Sequence, residues 1–460
     1  MSDRLPPKLF PLPLTAWELY MLLDDRPAYP MTSVIDVQLS GRLDEAVFRQ
    51  ALDEVLKRHP LLGCLVEWRR LRGACWVPSP QRKPMLDWGP AGAPRFCPDG
   101  LAIDLRRELG VRIWVRQGER EATATFQLHH SVCDGVAIIE VIGDLLAAYG
   151  MLVAEGEQKP RLAPLDPAKL RLRGRFDHTP SPTETPWRDF WAKQWTQLDW
   201  FLFAPKPILP LAECPAQAQA ADPPELPRNI VHVLNKAEWK SLRRVADCRG
   251  ISTNELLVRD LFLTLDRWNA QGNPNWRGRL RITMPVSLRE LEHEGMPAAN
   301  LVSHAFLTRK RDDLRDPEQL LASVQMGIER IMRQKRGLWF LSGIEFLRWT
   351  PPLKPLLELG RCFSSSVLTN LGNPVRRFTA QFPYESGRAV VGDLRLLSIV
   401  GAPPVRPKTR AVFGLTTCGG ELMIATRCDP FLFSTEDSTR LVNLFGEQIR
   451  ATSRESSAVA

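Results

Sequence analysis

The stretch from Phe126 to Gly135, Phe-Gln-Leu-His-His-Ser-Val-Cys-Asp-Gly, constrains this chain more than any other. Upstream, Glu121 to Leu128 alternates polar and apolar residues with Ala122, Ala124, Phe126 and Leu128 on one face, which predicts a half-buried strand. Downstream, Val136, Ile139, Gly143, Leu146 and Gly150 recur at three- and four-residue spacing, which predicts an amphipathic helix. Two histidines therefore sit at a strand end, before a tight turn carrying Asp134 and Gly135. Chemistry gathers at loops held by rigid elements on both sides. Adjacent strand side chains point to opposite faces, so His129 and His130 cannot easily share one ligand. That disfavours a metal site, even with Cys133 and Asp134 close by. The better reading is one working imidazole and one structural neighbour. An imidazole with a pKa near ~6.5 can take a proton from a hydroxyl or an amine near neutral pH. The carboxylate four residues on can fix the turn or pair with an arginine elsewhere.

A chain of 460 residues exceeds what one core usually holds, so two domains of roughly 200 residues are expected. The apolar share of 44% and charged share of 25% are ordinary for a globular protein. Nine cysteines, without CxxC or zinc-like spacing, read as reduced thiols of a cytoplasmic chain. No secretory leader is expected at Met1 to Arg4, nor any uninterrupted transmembrane span, since the most apolar helix carries Glu140 and Asp144. Peripheral membrane contact stays open. The formal charge of +9 suits anionic partners. Its densest runs, Arg69 to Arg72 and Lys169 to Arg175, come without a nucleic-acid module or interleaved aromatics. They read first as solvated faces, and an acidic acyl carrier or a coenzyme A phosphate suits them better than nucleic acid.

Residues 1–158 read as a first mixed α/β unit. Its expected elements are a strand from Met31 to Leu39, a helix capped by Asp44 and ended by Pro60, and strands over Leu61 to Trp68 and Val111 to Val115. Residues 159–228 are proline-rich, enclose an aromatic helix from Trp187 to Phe203, and read as an interdomain linker. Residues 229–460 form a second unit. Its expected helices run from Lys236 to Arg249, from the capping box Ser252 to Glu255 onward, and from Pro317 to Arg336. Strands are expected over Arg279 to Val286, Asn300 to Arg309 and Phe363 to Thr369, and a hairpin around Gly419-Gly420.

The motif His129-His130-Ser131-Val132-Cys133-Asp134-Gly135 resembles the HHxxxDG signature of the CoA-dependent acyltransferase superfamily. That superfamily includes nonribosomal-peptide condensation domains and wax-ester synthases. Leu12 to Trp17, Leu39 to Asp44, Arg58 to Leu62, Met284 to Arg289, Ala299 to Val302 and Ser366 to Gly372 extend the likeness along nearly the whole chain. The resemblance implies an α/β fold, a mixed α+β sandwich of two chloramphenicol-acetyltransferase-like subdomains forming a V with an active-site tunnel between them. It implies that His130 is the general base, that His129 is structural, and that Asp134 holds the loop by pairing with an arginine, Arg289 being the first choice. Gly135 would bring backbone close to the reacting centre. Oxyanion support would come from the Gly135 amide and from the Ser364 to Ser366 run or Asn370, with Ser366 and Asn370 as named candidates.

The function implied is acyl transfer from a thioester to a hydroxyl or amine by direct attack, O-acyl transfer favoured over N-acyl. The donor would be acyl-CoA or an acyl-carrier protein, and the acceptor a small alcohol, amine or lipid. Coenzyme A or a phosphopantetheine thioester serves as co-substrate, with no tightly bound cofactor and no metal. A free-standing, cytoplasmic monomer is expected. The Asp-Phe-Gly-Trp-Gly motif of the plant-type branch is replaced here by Ala411 to Thr416. The alternative is a catalytically silent, condensation-domain-like protein that binds an acyl carrier or ligand. No Gly-x-Ser-x-Gly elbow is present, which disfavours a serine hydrolase.

Overall fold

The computed structural model describes residues 9–154, 159–176, 204–211, 223–348, 353–358, 360–385 and 387–455. The aromatic helix expected from Trp187 to Phe203 lies outside them. The first half runs β1 (Leu12–Pro13), α1 (Ala16–Asp24), β2 (Thr32–Ser40), α2 (Glu45–Arg58), β3 (Cys64–Arg69), β4 (Gly73–Pro78), β5 (Met85–Pro90), β6 (Val111–Gln117), β7 (Glu121–His129) and α3 (Gly135–Val153). Thr15 and Glu18 open α1 with a reciprocal capping box. Glu18 is fully buried, and its carboxylate also accepts from Trp76 Nε1 at 3.0 Å and Arg173 Nε at 2.7 Å. Arg173 belongs to the basic run expected to face solvent. It serves instead as the counter-ion that an interior carboxylate requires. Asp44 caps α2, which buries Phe48, Ala51, Leu52 and Val55. The strand expected from Leu61 starts only at Cys64, because Pro60–Gly63 winds into a 3-10 turn first.

The second half runs β8 (Ile230–Leu234), α4 (Lys236–Arg249), α5 (Thr253–Gly272), β9 (Arg279–Ser287), β10 (Val302–Lys310), α6 (Pro317–Arg333), α7 (Arg336–Arg348), α8 (Leu353–Glu358), β11 (Ser366–Gly372), β12 (Tyr384–Glu385), β13 (Arg388–Val391), β14 (Leu394–Ala402), β15 (Ala411–Cys418), β16 (Glu421–Cys428) and α9 (Thr435–Arg454). The single helix expected from Pro317 to Arg336 is divided, because Lys335 adopts a positive φ of 46° and a new helix begins after it. Between β15 and β16, Gly419 and Gly420 take φ values of 58° and 88°, as the hairpin requires.

Among the described residues the strands form three sheets. One has the order β1-β4-β3, one β10-β9-β11-β15-β16-β8, and one β12-β13-β14-β2-β7-β6-β5. The last is the sheet of the first half, yet three of its strands come from residues 384–402. Strand β14 pairs antiparallel with β2, Ile399 opposite Val37 and Ala402 opposite Val34. The two subdomains are thus not closed at residue 228, since the second unit donates three strands to the sheet of the first. One large core fills each half. The first also includes Leu338, Leu341 and Ile344 from α7 and Leu357 from α8. By length and apolarity α3 could cross a membrane, contrary to the sequence expectation, but here it is a core helix buried along most of its length. Its Asp144 accepts from Arg58 Nε at 2.9 Å and lies 3.1 Å from His59 Nε2.

Candidate active site

The site forms where β7 ends. Thr32 of β2 faces His129 in register, and the His130 amide donates to the Met31 carbonyl at 2.8 Å, so both histidines sit on fixed backbone. The His129 ring is fully buried; its Nδ1 accepts from the Ser131 amide at 3.1 Å, and Nε2 faces the Asp25 carboxylate at 3.8 Å. An imidazole accepting a backbone N–H carries its proton on the other nitrogen, which suits a structural role. The His130 ring lines a cavity between the halves; its Nδ1 is enclosed, leaving Nε2 as the nitrogen open to that cavity. Burial lowers the His130 pKa below 6.5, against smaller raising effects from its own carbonyl and Asp134. It is a neutral base at neutral pH.

Asp134 does three things at once. Its Oδ1 caps α3 by accepting from the Val136 and Ala137 amides, each at 3.0 Å. The carboxylate receives a two-pronged bond from Arg289, NH1 at 2.9 Å and NH2 at 3.0 Å. The Leu301 amide adds a bond of 2.7 Å. Burial alone would raise its pKa, but Arg289 and these amides outweigh it and hold the carboxyl below 3.8. The neighbouring segment stitches the halves together, as the Ala298 amide donates to His59 Nδ1 at 2.9 Å and Asn300 Nδ2 to the His130 carbonyl at 2.5 Å. Asp134→Asn is expected to cost about 3–5 kcal/mol of stability, the effect of breaking a buried charge pair from one side. Denaturant unfolding of the variant beside wild type measures it. Because the folded-state pKa lies below 3.8, this contribution is present above 3.8 and is lost as pH falls through the lowered pKa.

The cavity occupies about 870 Å³, counting space that opens to solvent. Gly135 is on its wall, and a Cβ there would come within 3.3 Å of Leu371 Cδ2. Ser366 and Asn370 are not on it. Ser366 donates to the Ala411 carbonyl at 2.9 Å, while Asn370 accepts from the Gly372 amide at 3.0 Å and donates to Asn254. Ser364 and Ser365 also donate to backbone carbonyls. The reason is strand alternation. Along β11, Val367, Thr369 and Leu371 line the cavity, and residues of the other parity turn away. The β11 hydroxyl on the cavity wall is therefore that of Thr369, whose Oγ1 is buried without a partner. Thr416 on β15 repeats this arrangement. Sequence reasoning also missed His304 and Arg406, both on the wall. Among the described residues no three His, Cys, Asp or Glu side chains group as a metal site requires.

No family model matches the sequence. Over 158 residues it is 28% identical to a non-canonical nonribosomal peptide synthetase, CymA, of Salinispora arenicola, a match spanning 31% of this chain and 2% of that far longer protein. Solved structures match nearly end to end. Trichothecene 15-O-acetyltransferase TRI3 from Fusarium sporotrichioides superposes with a TM-score of 0.69 at 13% identity, covering 98% of this chain and all (100%) of that one. The starter condensation domain of rhizomide synthetase, solved with C8-CoA and Leu-SNAC, gives 0.62 at 12% identity over 96% of this chain and 94% of the other. The chain has the two-subdomain fold shared by condensation domains and this acetyltransferase.

Proposed function

We propose that this protein is an acyltransferase that moves an acyl group from a coenzyme A or carrier-protein thioester to a hydroxyl or amine, with His130 as general base. The observation that carries this is the neutral His130 imidazole, set in a cavity walled by both halves and open at one ring nitrogen. His130 Nε2 takes the proton of the acceptor O–H or N–H as that atom attacks the thioester carbonyl carbon. The tetrahedral oxyanion meets the Thr369 hydroxyl and the start of α3 at Gly135, whose dipole favours negative charge. Collapse breaks the C–S bond, and the imidazolium returns the proton to the leaving thiolate. No acyl-enzyme forms. Asp134 and Arg289 position the loop and touch neither substrate. The C8-CoA ligand of the rhizomide domain supports a thioester donor, and the acetyl transfer of TRI3 supports acyl transfer. O-acyl over N-acyl transfer follows only from the resemblance.

Acceptor-dependent thiol release, measured across acyl-CoAs with pooled alcohols and amines, tests this reading. Release that requires the acceptor, with no mass added to the intact protein, supports direct transfer; an acylated protein contradicts it. Two finer outcomes are expected. The acid limb of kcat/KM lies below pH 6.5, since a lowered pKa keeps His130 deprotonated to lower pH and activity is lost as pH falls through it. Thr369→Val lowers kcat by about 10²-fold, the usual loss on removing one oxyanion donor. An unchanged kcat would remove Thr369 from the site.

A further inference from the structure

A second cavity of about 610 Å³ adjoins the first and shares Tyr20, His304, Val367 and Arg406 with it. Its wall is mostly apolar and aromatic, with Phe306, Phe340, Ile344 and Phe363, and carries Thr283 and Thr409 as well. At the shared neck sits a cation. The Arg406 guanidinium lies 5.6 Å from the centres of both the Tyr20 and Phe363 rings and pairs with Asp24. Asp24 is buried and lies 3.6 Å from a second guanidinium, that of Arg26, which also donates to the Leu357 carbonyl. One carboxylate thus serves two arginines, and the neck keeps a net positive charge. His304 adds none, for burial first, then Arg406 and His130, lower its pKa to about 3. Tyr20 stays protonated, its pKa raised by burial to about 12.

Among the described residues, the polar partner of the Arg406 guanidinium is Asp24, reached through Nε. A guanidinium carries five N–H donors in a planar fork that matches a carboxylate, and a cation inside an apolar wall is costly unless those donors are used. A purely apolar acyl chain would leave them unused. We propose that the acyl acceptor is an apolar molecule bearing a free carboxylate. Its chain or ring fills the second cavity, its carboxylate rests on Arg406, and its hydroxyl or amine reaches back to His130. This deepens the acyltransferase reading and rests on it for the nucleophile, but the anion anchor is testable without turnover.

Calorimetry with 3-phenylpropanoate and its uncharged partner 3-phenylpropanamide, on the full chain, makes that test. The acid is expected to bind at least 10-fold more tightly to wild type. Arg406→Gln should abolish the difference and Arg406→Lys should restore part of it, whereas His130→Ala should keep it whole. Equal affinities in wild type, binding of neither, or a preference that survives in Arg406→Gln would each overturn the proposal. Should Arg406→Gln fail to fold, the wild-type comparison still decides. A preference for the acid in a protein that releases no thiol from any donor would sink the acyltransferase reading and leave the anion site standing.

Discussion

Gly414→Val is expected to destabilise the protein by at least about 3 kcal/mol, at or beyond the upper range for overpacking. The site is the point where the two sheets touch. Strand β14 lies in the sheet of the first half and β15 in that of the second, and they cross here backbone to backbone. A Cβ on Gly414 would lie 1.9 Å from the Gly401 carbonyl oxygen. Gly401 is itself confined, with an added Cβ falling 2.6 Å from Ile35 Cγ1 and 3.0 Å from the Val34 carbonyl. A flexible side chain could move aside; a backbone carbonyl in a paired strand cannot. Relief would require parting the sheets, which would also deform the cavity, since Gly401 lines it. Thermal unfolding should show a fall in Tm of about 3 °C or more at this chain size, or expression only as insoluble protein. Gly63→Ala is the matched control, because nothing lies within 4 Å of its added Cβ. A Gly414→Val protein as stable as that control would mean the sheets do not meet as described.

That crossing was not legible in the sequence. No strand is expected over residues 394–402 from the sequence, and nothing local says that this segment leaves its own half to pair with β2. Pairing between distant strands depends on tertiary burial, which periodicity does not encode. Features with their own local physics were legible. The capping box at Ser252, the Asp44 cap and the glycine hairpin each announce an element end through one or two residues. The His129-to-Gly135 loop was legible as a strand-turn-helix junction, and Arg289 was named for Asp134 through the family resemblance. The structure places the two in a bidentate pair.

The oxyanion candidates show where a composition signal misleads. Ser364, Ser365 and Ser366 look like a bank of donors, yet each spends its hydroxyl on a backbone carbonyl. Parity along β11 would have pointed to Thr369, had the cavity-facing side of the strand been known. Arg406 gave no signal at all. It follows a proline pair in a loop, and only the fold brings it beside Asp24, some 380 residues earlier by the rough spacing of a two-subdomain chain.

His130→Ala is expected to lower kcat/KM by about 10²–10⁴-fold, the usual contribution of a positioned general base. Among the described residues that line the cavity, no second base can replace the neutral ring. His129 is turned away and bonded to the Ser131 amide, and His304, with a pKa of about 3, is too weak a base to hold the transferred proton. Removing the ring should leave the fold largely intact, because the His130 amide and carbonyl, not its side chain, bond to Met31 and Asn300. Folding and chemistry are thereby separable at this position, as they are not at Asp134. The measurement that tests the whole account most directly is thiol release by wild type and His130→Ala, with the same acyl-CoA and acceptor and with equal unfolding midpoints established first. A fall of 10²-fold or more at unchanged stability is the predicted result. Equal rates in the two proteins would contradict the account.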